Sequence, residues 1–298
     1  MTALLHDPHV PFTITEIVTD DSARLHVRTY GSPDAPAIVL VHGHGGRVEY
    51  WNPQINALAS QFRVVAYDQR GFGRSTMGRA GVDTPTLAAD LEAVLAEVLS
   101  AGDRAILVGH SFGGISVLAW AKRFPDHVST RASAVLLANT IAERFHATSK
   151  LLPFAGRAAW IRRPLFRVLG RAQPSVPPNP VVRWVFRLMW VPAAGWRAVD
   201  FLLQLSVGVG MRVSSTWTAA LTGLKLNEGV ANLNVPTTVL VGSRDRATPP
   251  LASSRIADIL RGTGHLHRFV ELEGVGHCPN IETPELFDDE IRRLAAMS

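Results

Sequence analysis

Apolar positions fall into two patterns along this chain. Unbroken apolar runs stand at Ala37–Val41 (AIVLV), Ala105–Val108 (AILV), Ala134–Leu137 (AVLL) and Thr237–Val241 (TTVLV), and Phe62–Tyr67 (FRVVAY) is of the same type. Runs with no polar face predict strands buried on both sides. Phe12–Thr19 and Arg24–Tyr30 alternate instead, which predicts a two-sided antiparallel pair, and a last strand is expected at His267–Leu272. Helical periodicity fills the gaps at Val48–Ser60, Pro85–Ala101, Phe112–Phe124, Leu251–Arg261 and Pro284–Ala296. Pro85 and Pro284 suit a first helical turn, with Thr84 and Thr283 as N-caps. Strands alternating with helices of this length predict an α/β domain on a mostly parallel sheet.

That rhythm breaks between Asn139 and Val235. The segment reads as helical and amphipathic: in VRWVFRLMW, Arg183 and Arg187 lie four apart, as do Trp184 and Leu188. QPSVPPNP (Gln173–Pro180) can only be a turn or extended linker, with helices before and after it. The division expected is a core of residues 1–139 and 235–298, with 140–234 as a helical cap over the strand ends. Charge marks the same unit. Ile141–Leu233 carries 12 Lys/Arg against 3 Asp/Glu, a net +9, and five of the seven tryptophans; the rest of the chain is net −4.

With 298 residues, 47% apolar and 18% charged, the chain builds a core of its own and is not disordered. Its one cysteine, Cys278, forms no intrachain disulfide, which fits a reducing, cytoplasmic setting. MTALLHDPHVPF lacks the basic and apolar regions of a signal peptide. The apolar stretch Phe201–Met211 is too short to span a bilayer.

The chemistry centres on Gly109-His110-Ser111-Phe112-Gly113-Gly114, which follows the AILV run and opens a helical pattern. A serine on such a strand-to-helix turn is held in strained backbone, with its hydroxyl above the strand end. It needs a base, and His277 in Gly274-Val275-Gly276-His277-Cys278-Pro279 sits in a loop after the last strand. The base needs a carboxylate. Asp245 ends a buried strand at Val241-Gly242-Ser243-Arg244-Asp245, whereas the end of AVLLAN offers only Asn139, which is no acid. In Val41-His42-Gly43-His44-Gly45-Gly46, the glycines let the backbone fold under a substrate carbonyl. The expected oxyanion donors are the backbone N–H groups of His44 and Phe112. His42, Gly43 and Gly45 support that loop, with His42 as a hydrogen-bonding brace. The His44 side chain points toward the acyl or leaving group.

These pieces, with Asp68-Gln69-Arg70-Gly71-Phe72-Gly73-Arg74-Ser75, resemble the α/β-hydrolase superfamily in its capped form. The resemblance covers about residues 37–140 and 235–296; the cap matches nothing. It implies the α/β-hydrolase fold: an eight-stranded, mostly parallel sheet with an antiparallel second strand, flanking helices, and a cap inserted after the sixth strand. It also implies a structural role for the DQRGFGRS stretch. Haloalkane dehalogenases and epoxide hydrolases carry aspartate at the elbow, where this chain has Ser111. Ester hydrolysis, as in an esterase or lipase, is therefore the first expectation. Carbon–carbon bond hydrolysis, perhydrolysis and acyl transfer share the scaffold, and a receptor-like ligand binder is the reading outside enzymology. The apolar runs of the cap predict a pocket for medium or long acyl chains. Its basic face is expected outward, toward anionic lipid. No nucleic-acid module, P-loop, dinucleotide fingerprint or metal-ligand spacing is present beyond the lone pair His265 and His267, so no cofactor or metal is expected.

Overall fold

A computed structural model of the chain describes residues 5–143, 179–206, 213, 216, 217 and 223–297. Eight strands form one sheet: β1 (Phe12–Val18), β2 (Arg24–Tyr30), β3 (Ala37–Val41), β4 (Arg63–Tyr67), β5 (Ala105–His110), β6 (Ala132–Ala138), β7 (Thr237–Gly242) and β8 (Leu266–Leu272). Their spatial order is β1-β2-β4-β3-β5-β6-β7-β8. Strand β2 runs antiparallel to both β1 and β4, and every other pairing is parallel. β3, β5 and β7, read from unbroken apolar runs, are buried along their whole length.

Successive residues of each central strand feed opposite layers. Val39, Leu107, Val135 and Val239 point into one core with helices α2 (Thr84–Val98), α3 (Phe112–Arg123), the short α4 (Val128–Arg131) and α8 (Pro250–Thr263). Ile38, Ile106, Leu136 and Leu240 point into the other, with α1 (Asn52–Leu58) and α10 (Pro284–Ala295). Each fully buried Leu, Ile or Val is worth about 1.5–3 kcal/mol, so this double-sided burial fixes the register on which the site depends.

The structure differs from the sequence reading at several helix starts. Asp83, not Thr84, caps α2: its side chain accepts from Thr86 N, and Thr84 is already helical. Thr283 occupies the N-cap position of α10 but makes no side-chain cap bond; its hydroxyl donates to Pro279 O at 3.1 Å. The helix expected over Val48–Ser60 is a 3₁₀ turn, Val48–Trp51, followed by α1 with Pro53 in its first turn.

Between β6 and β7 the described residues form α5 (Pro180–Trp190), α6 (Trp196–Ser206) and α7 (Asn227–Ala231). Asn179 caps α5 by accepting from Val182 N at 3.0 Å. The rest of the proline-rich linker, the helix expected before it and Trp160 lie outside the described residues, as do most of the basic residues of this segment. The two ends of the insertion meet: Glu143 bridges Lys225 in antiparallel fashion, and Leu226 N donates to Ala142 O at 2.9 Å. Val199, Leu202 and Leu205 of α6 pack into the second core, while Leu226, Val230 and Leu233 join the first. Among the described residues, no helix is long and apolar enough to cross a membrane.

Candidate active site

The end of β5 and the start of α3 hold Ser111 at φ 52°, ψ −114°. A non-glycine residue in that region stores about 1–3 kcal/mol of strain. Two bonds hold it there: Ser111 N donates to Ala138 O at 2.9 Å, and Thr140 Oγ1 donates to Ser111 O at 2.7 Å. Gly113 has no room for a side chain, because a Cβ there would fall 1.9 Å from Val41 O. The G-x-S-x-G spacing thus lets α3 start directly against β3.

Ser111 Oγ lies 3.0 Å from His277 Nε2, and His277 Nδ1 lies 2.9 Å from Asp245 Oδ2. Three loops more than thirty residues apart in sequence converge to make this line. Asp245 is buried. Its Oδ1 accepts from Ala247 N (2.8 Å) and Thr248 N (3.1 Å), and its Oδ2 accepts from Asn139 Nδ2 at 2.7 Å. The Thr248 hydroxyl lies 2.6 Å from the same Oδ2. Burial works to raise the carboxyl, but the His277 charge and the bonds from His277, Thr248 and Asn139 outweigh it and hold the group below the usual carboxylate range. Asp245 is therefore anionic and aimed at the ring nitrogen away from the serine. Glu273, another acid near the histidine, is exposed.

The His42–Gly46 loop lies against the elbow. A Cβ on Gly43 would come 2.8 Å from His110 Nδ1 and 3.3 Å from Ser111 Cβ. Gly46 N closes the turn onto Gly43 O at 3.0 Å, with Gly45 at φ 77°. The His44 ring packs edge-on to Phe72 and Phe112, at centroid distances of 5.3 and 6.0 Å. Phe112 opens α3, so its N–H belongs to the first turn, which lacks intrahelical acceptors. His42 is fully buried and braces the loop: Gln69 N donates to its Nε2 at 3.0 Å, and its Nδ1 lies 2.7 Å from Gly43 O. Burial lowers its pKa and keeps it neutral. In the DQRGFGRS stretch, Arg70 is buried and pairs with Asp90 and Asp21, and Asp68 accepts from Val48 N and Arg74 N. These contacts tie loops together and do not reach the serine.

A family model described as the alpha/beta hydrolase family matches residues 38–290. The chain belongs to that family. Over 280 residues the hydrolase is 30% identical to a Rhizobium rhizogenes protein named "Putative carbamate hydrolase RutD", covering 91% of this chain and 97% of that protein. A thermophilic esterase from Thermogutta terrifontis superposes with a TM-score of 0.74 at 21% identity, covering 95% of this chain and 98% of the esterase. The enol-lactonase from Burkholderia xenovorans LB400 gives 0.72 at 22% identity, covering 96% of this chain and all of the lactonase.

Several residues around the hydrolase's site were not singled out by motif. Asn139 ends β6 at φ 46° and donates to both Asp245 Oδ2 and Gly276 O, stitching the acid loop to the histidine loop. Asn139 is no carboxylate and cannot orient the base itself; its value is as a donor. His110 lies under the histidine loop with Nε2 2.7 Å from His277 O. Burial, then the neighbouring His277, pushes it down to about 3, so the neutral ring donates to that carbonyl. From the insertion, Trp217 stacks edge-on to Phe112 at 5.1 Å and donates to Arg70 O. Trp190, at the end of α5, meets the His277 ring edge-on at 5.4 Å. Among the described residues, no group of three or more His, Cys, Asp or Glu side chains could hold a metal ion.

Proposed function

We propose that this α/β-hydrolase cleaves carboxylic esters through an acyl-enzyme on Ser111. The observation that carries the reading is the continuous line Ser111 Oγ–His277 Nε2, His277 Nδ1–Asp245 Oδ2. In this reading Ser111 Oγ attacks the carbonyl carbon and His277 Nε2 takes its proton. The negative charge that develops on the carbonyl oxygen rests on the N–H groups of His44 and Phe112. Collapse expels the alcohol, which receives the proton from His277. Water then attacks the acyl-serine by the same relay and frees the acid.

An apolar hollow of about 310 Å³ along α5, lined by Val181, Val182, Val185, Phe186, Met189 and Trp190, supports a preference for medium or long acyl chains. Trp190 joins this hollow to His277. Each methylene buried there adds about 0.8 kcal/mol, so kcat/KM should rise from acetyl esters upward and level off once the hollow is full. The outer residues of α5 and α6 support peripheral contact with anionic lipid from a cytoplasmic setting, because Trp184 is 57% and Trp196 44% exposed. Arg183 and Arg187 are not bare cations there. Arg183 pairs with Asp200, and both guanidinium groups lie over the Trp196 ring.

The kinship to RutD proteins favours a second reading in which the scissile acyl group is a carbamate. The same attack applies, with nitrogen on the carbonyl carbon. A panel of p-nitrophenyl esters of rising chain length, beside p-nitrophenyl carbamates, separates the two. Ser111→Ala should abolish turnover of the preferred series, and a fluorophosphonate should label Ser111 alone. Labelling at another residue overturns the assignment. Specificity constants that fall steadily from acetyl upward overturn the acyl hollow.

A further inference from the structure

The histidine loop is held by an acid that the proposed reaction does not consume. Glu282 ends the short helix α9 (Pro279–Glu282) and is buried. Its Oε1 accepts from Gly276 N at 3.0 Å and Cys278 N at 3.1 Å, the two N–H groups flanking His277. Its Oε2 accepts from Ala193 N at 3.0 Å, beyond the end of α5. The intervening N–H, that of His277, donates to Trp190 O at 2.7 Å. No Lys or Arg pairs with this carboxylate among the described ion pairs, so backbone donors carry its charge. The packing is tight: a Cβ on Gly276 would meet Trp190 O and the Pro192 ring, each at 2.4 Å.

We infer that Glu282 is a positioning residue that fastens His277 and the Trp190–Ala193 wall into one body and lends negative charge to the imidazolium formed during turnover. The inference rests on the serine-hydrolase reading above. Two physical effects follow. Loss of the carboxylate frees both peptide N–H groups beside the base, and a misplacement of about 1 Å at a reacting group costs about 100-fold. Burial raises the Glu282 carboxyl, and the N–H bonds from Gly276, Ala193 and Cys278 work against that rise; where the group is ionised, loss of its charge also removes a favourable interaction with protonated His277. The other titratable groups around the ring are Asp245 on the acid loop, His110 below it and Cys278 beside it, with Tyr50 behind His110. Burial raises the Cys278 thiol and lowers His110, so neither supplies charge near neutral pH.

The substitutions Glu282→Gln and Glu282→Ala separate the effects. With its oxygen toward Gly276 and Cys278, the glutamine side chain keeps the loop but turns an NH₂ toward Ala193 N. The alanine exchange loses every bond. The full chain is assayed for kcat and KM from pH 5 to 9, with fluorophosphonate labelling rates and Tm alongside. Expected are losses in kcat of about 10-fold for Glu282→Gln and about 100-fold for Glu282→Ala. In both, the acid limb of the pH profile moves to lower pH, while Ser111 is still the residue labelled. If the alanine variant does not fold, the glutamine variant alone carries the test. Wild-type kcat and an unmoved acid limb in a folded Glu282→Gln variant overturn the inference. Failure of the wild type to label at Ser111 overturns the underlying reading instead.

Discussion

Replacing Asp245 by asparagine tests the core of the site most sharply, because each lone pair of this carboxylate has a known partner. An amide offers one acceptor atom and one donor atom in their place. With its oxygen toward His277, its NH₂ would face the N–H groups of Ala247 and Thr248, at distances now 2.8 and 3.1 Å. Two buried donors then go unpaired, at about 1–3 kcal/mol each. With its NH₂ toward His277, those bonds survive, the Thr248 hydroxyl turns its hydrogen to Asn139 O, now 2.7 Å away, and the one donor that cannot turn aside is Asn139 Nδ2, now at 2.7 Å. The second orientation costs less and will dominate. There the NH₂ donates to His277 Nδ1 and drives the ring proton to Nε2, the atom facing Ser111 Oγ. The base has no lone pair for the serine until that hydrogen bond is reversed, and the wrong tautomer in a triad of this kind costs about 5 kcal/mol. At about 1.4 kcal/mol per tenfold, kcat falls by about 10³–10⁴. Steady-state hydrolysis of a p-nitrophenyl ester gives the ratio, and a thermal melt shows that the fold is intact. A folded Asp245→Asn variant within about tenfold of wild type would refute the reasoning. So would a loss of this size on exchanging the exposed Glu273.

Two further outcomes follow from residues away from the serine. Burial pushes the Asp288 carboxyl up to about 7, with a single bond from Gln54 and weak help from Arg292. Its folded-state pKa lies above its unfolded value of about 3.9, so its neutral form stabilises the fold fully below pH 4, and that contribution is lost as pH rises through about 7. The loss is at most about 4 kcal/mol; urea melts of Asp288→Asn should show a flatter stability profile from pH 4 to 8, and an unchanged slope would contradict this. For the surface of α5, co-sedimentation should show more binding to anionic than to neutral vesicles at low salt, weakening as salt screens the charge. Trp184→Ala should reduce binding to both, and equal partitioning of the wild type removes the electrostatic part.

The strands were readable because burial on both faces leaves an unbroken apolar signature, as in AIVLV and AILV, where no competing pattern exists. The convergence of Ser111, His277 and Asp245 was readable because each follows a strand in a glycine-bearing loop, at the same edge of the sheet. Asn139, Thr248 and Glu282 were not readable. Asn139 acts on Asp245 from 106 residues away and Glu282 on Ala193 from 89, through contacts that no local spacing encodes. Glu282 is also an acid close to His277 in sequence, but its carboxylate faces the main chain of the same loop and not the imidazole. The start of α2 misled for a different reason. Asp83 and Thr84 are both good caps, and only the extended backbone at Asp83 decides between them.

The insertion leaves and re-enters the core at neighbouring points, where Glu143 and Lys225 face each other. Its stitches to the histidine loop, Trp190 O and Ala193 N, are peptide groups that almost any residue supplies. We propose that a segment attached through one doorway, and stitched to the histidine loop by main chain, can be exchanged as a cassette so long as Val199, Leu202, Leu205 and Trp217 keep their places in the core. Its other side chains can then be rewritten, and its length changed at modest loop-closure cost, without touching the loops that carry Ser111, His277 and Asp245. Divergence of substrate range in such a scaffold needs no renegotiation of the chemistry. Chimeras joined at 143 and 225 would carry one relative's selectivity onto another's catalytic frame.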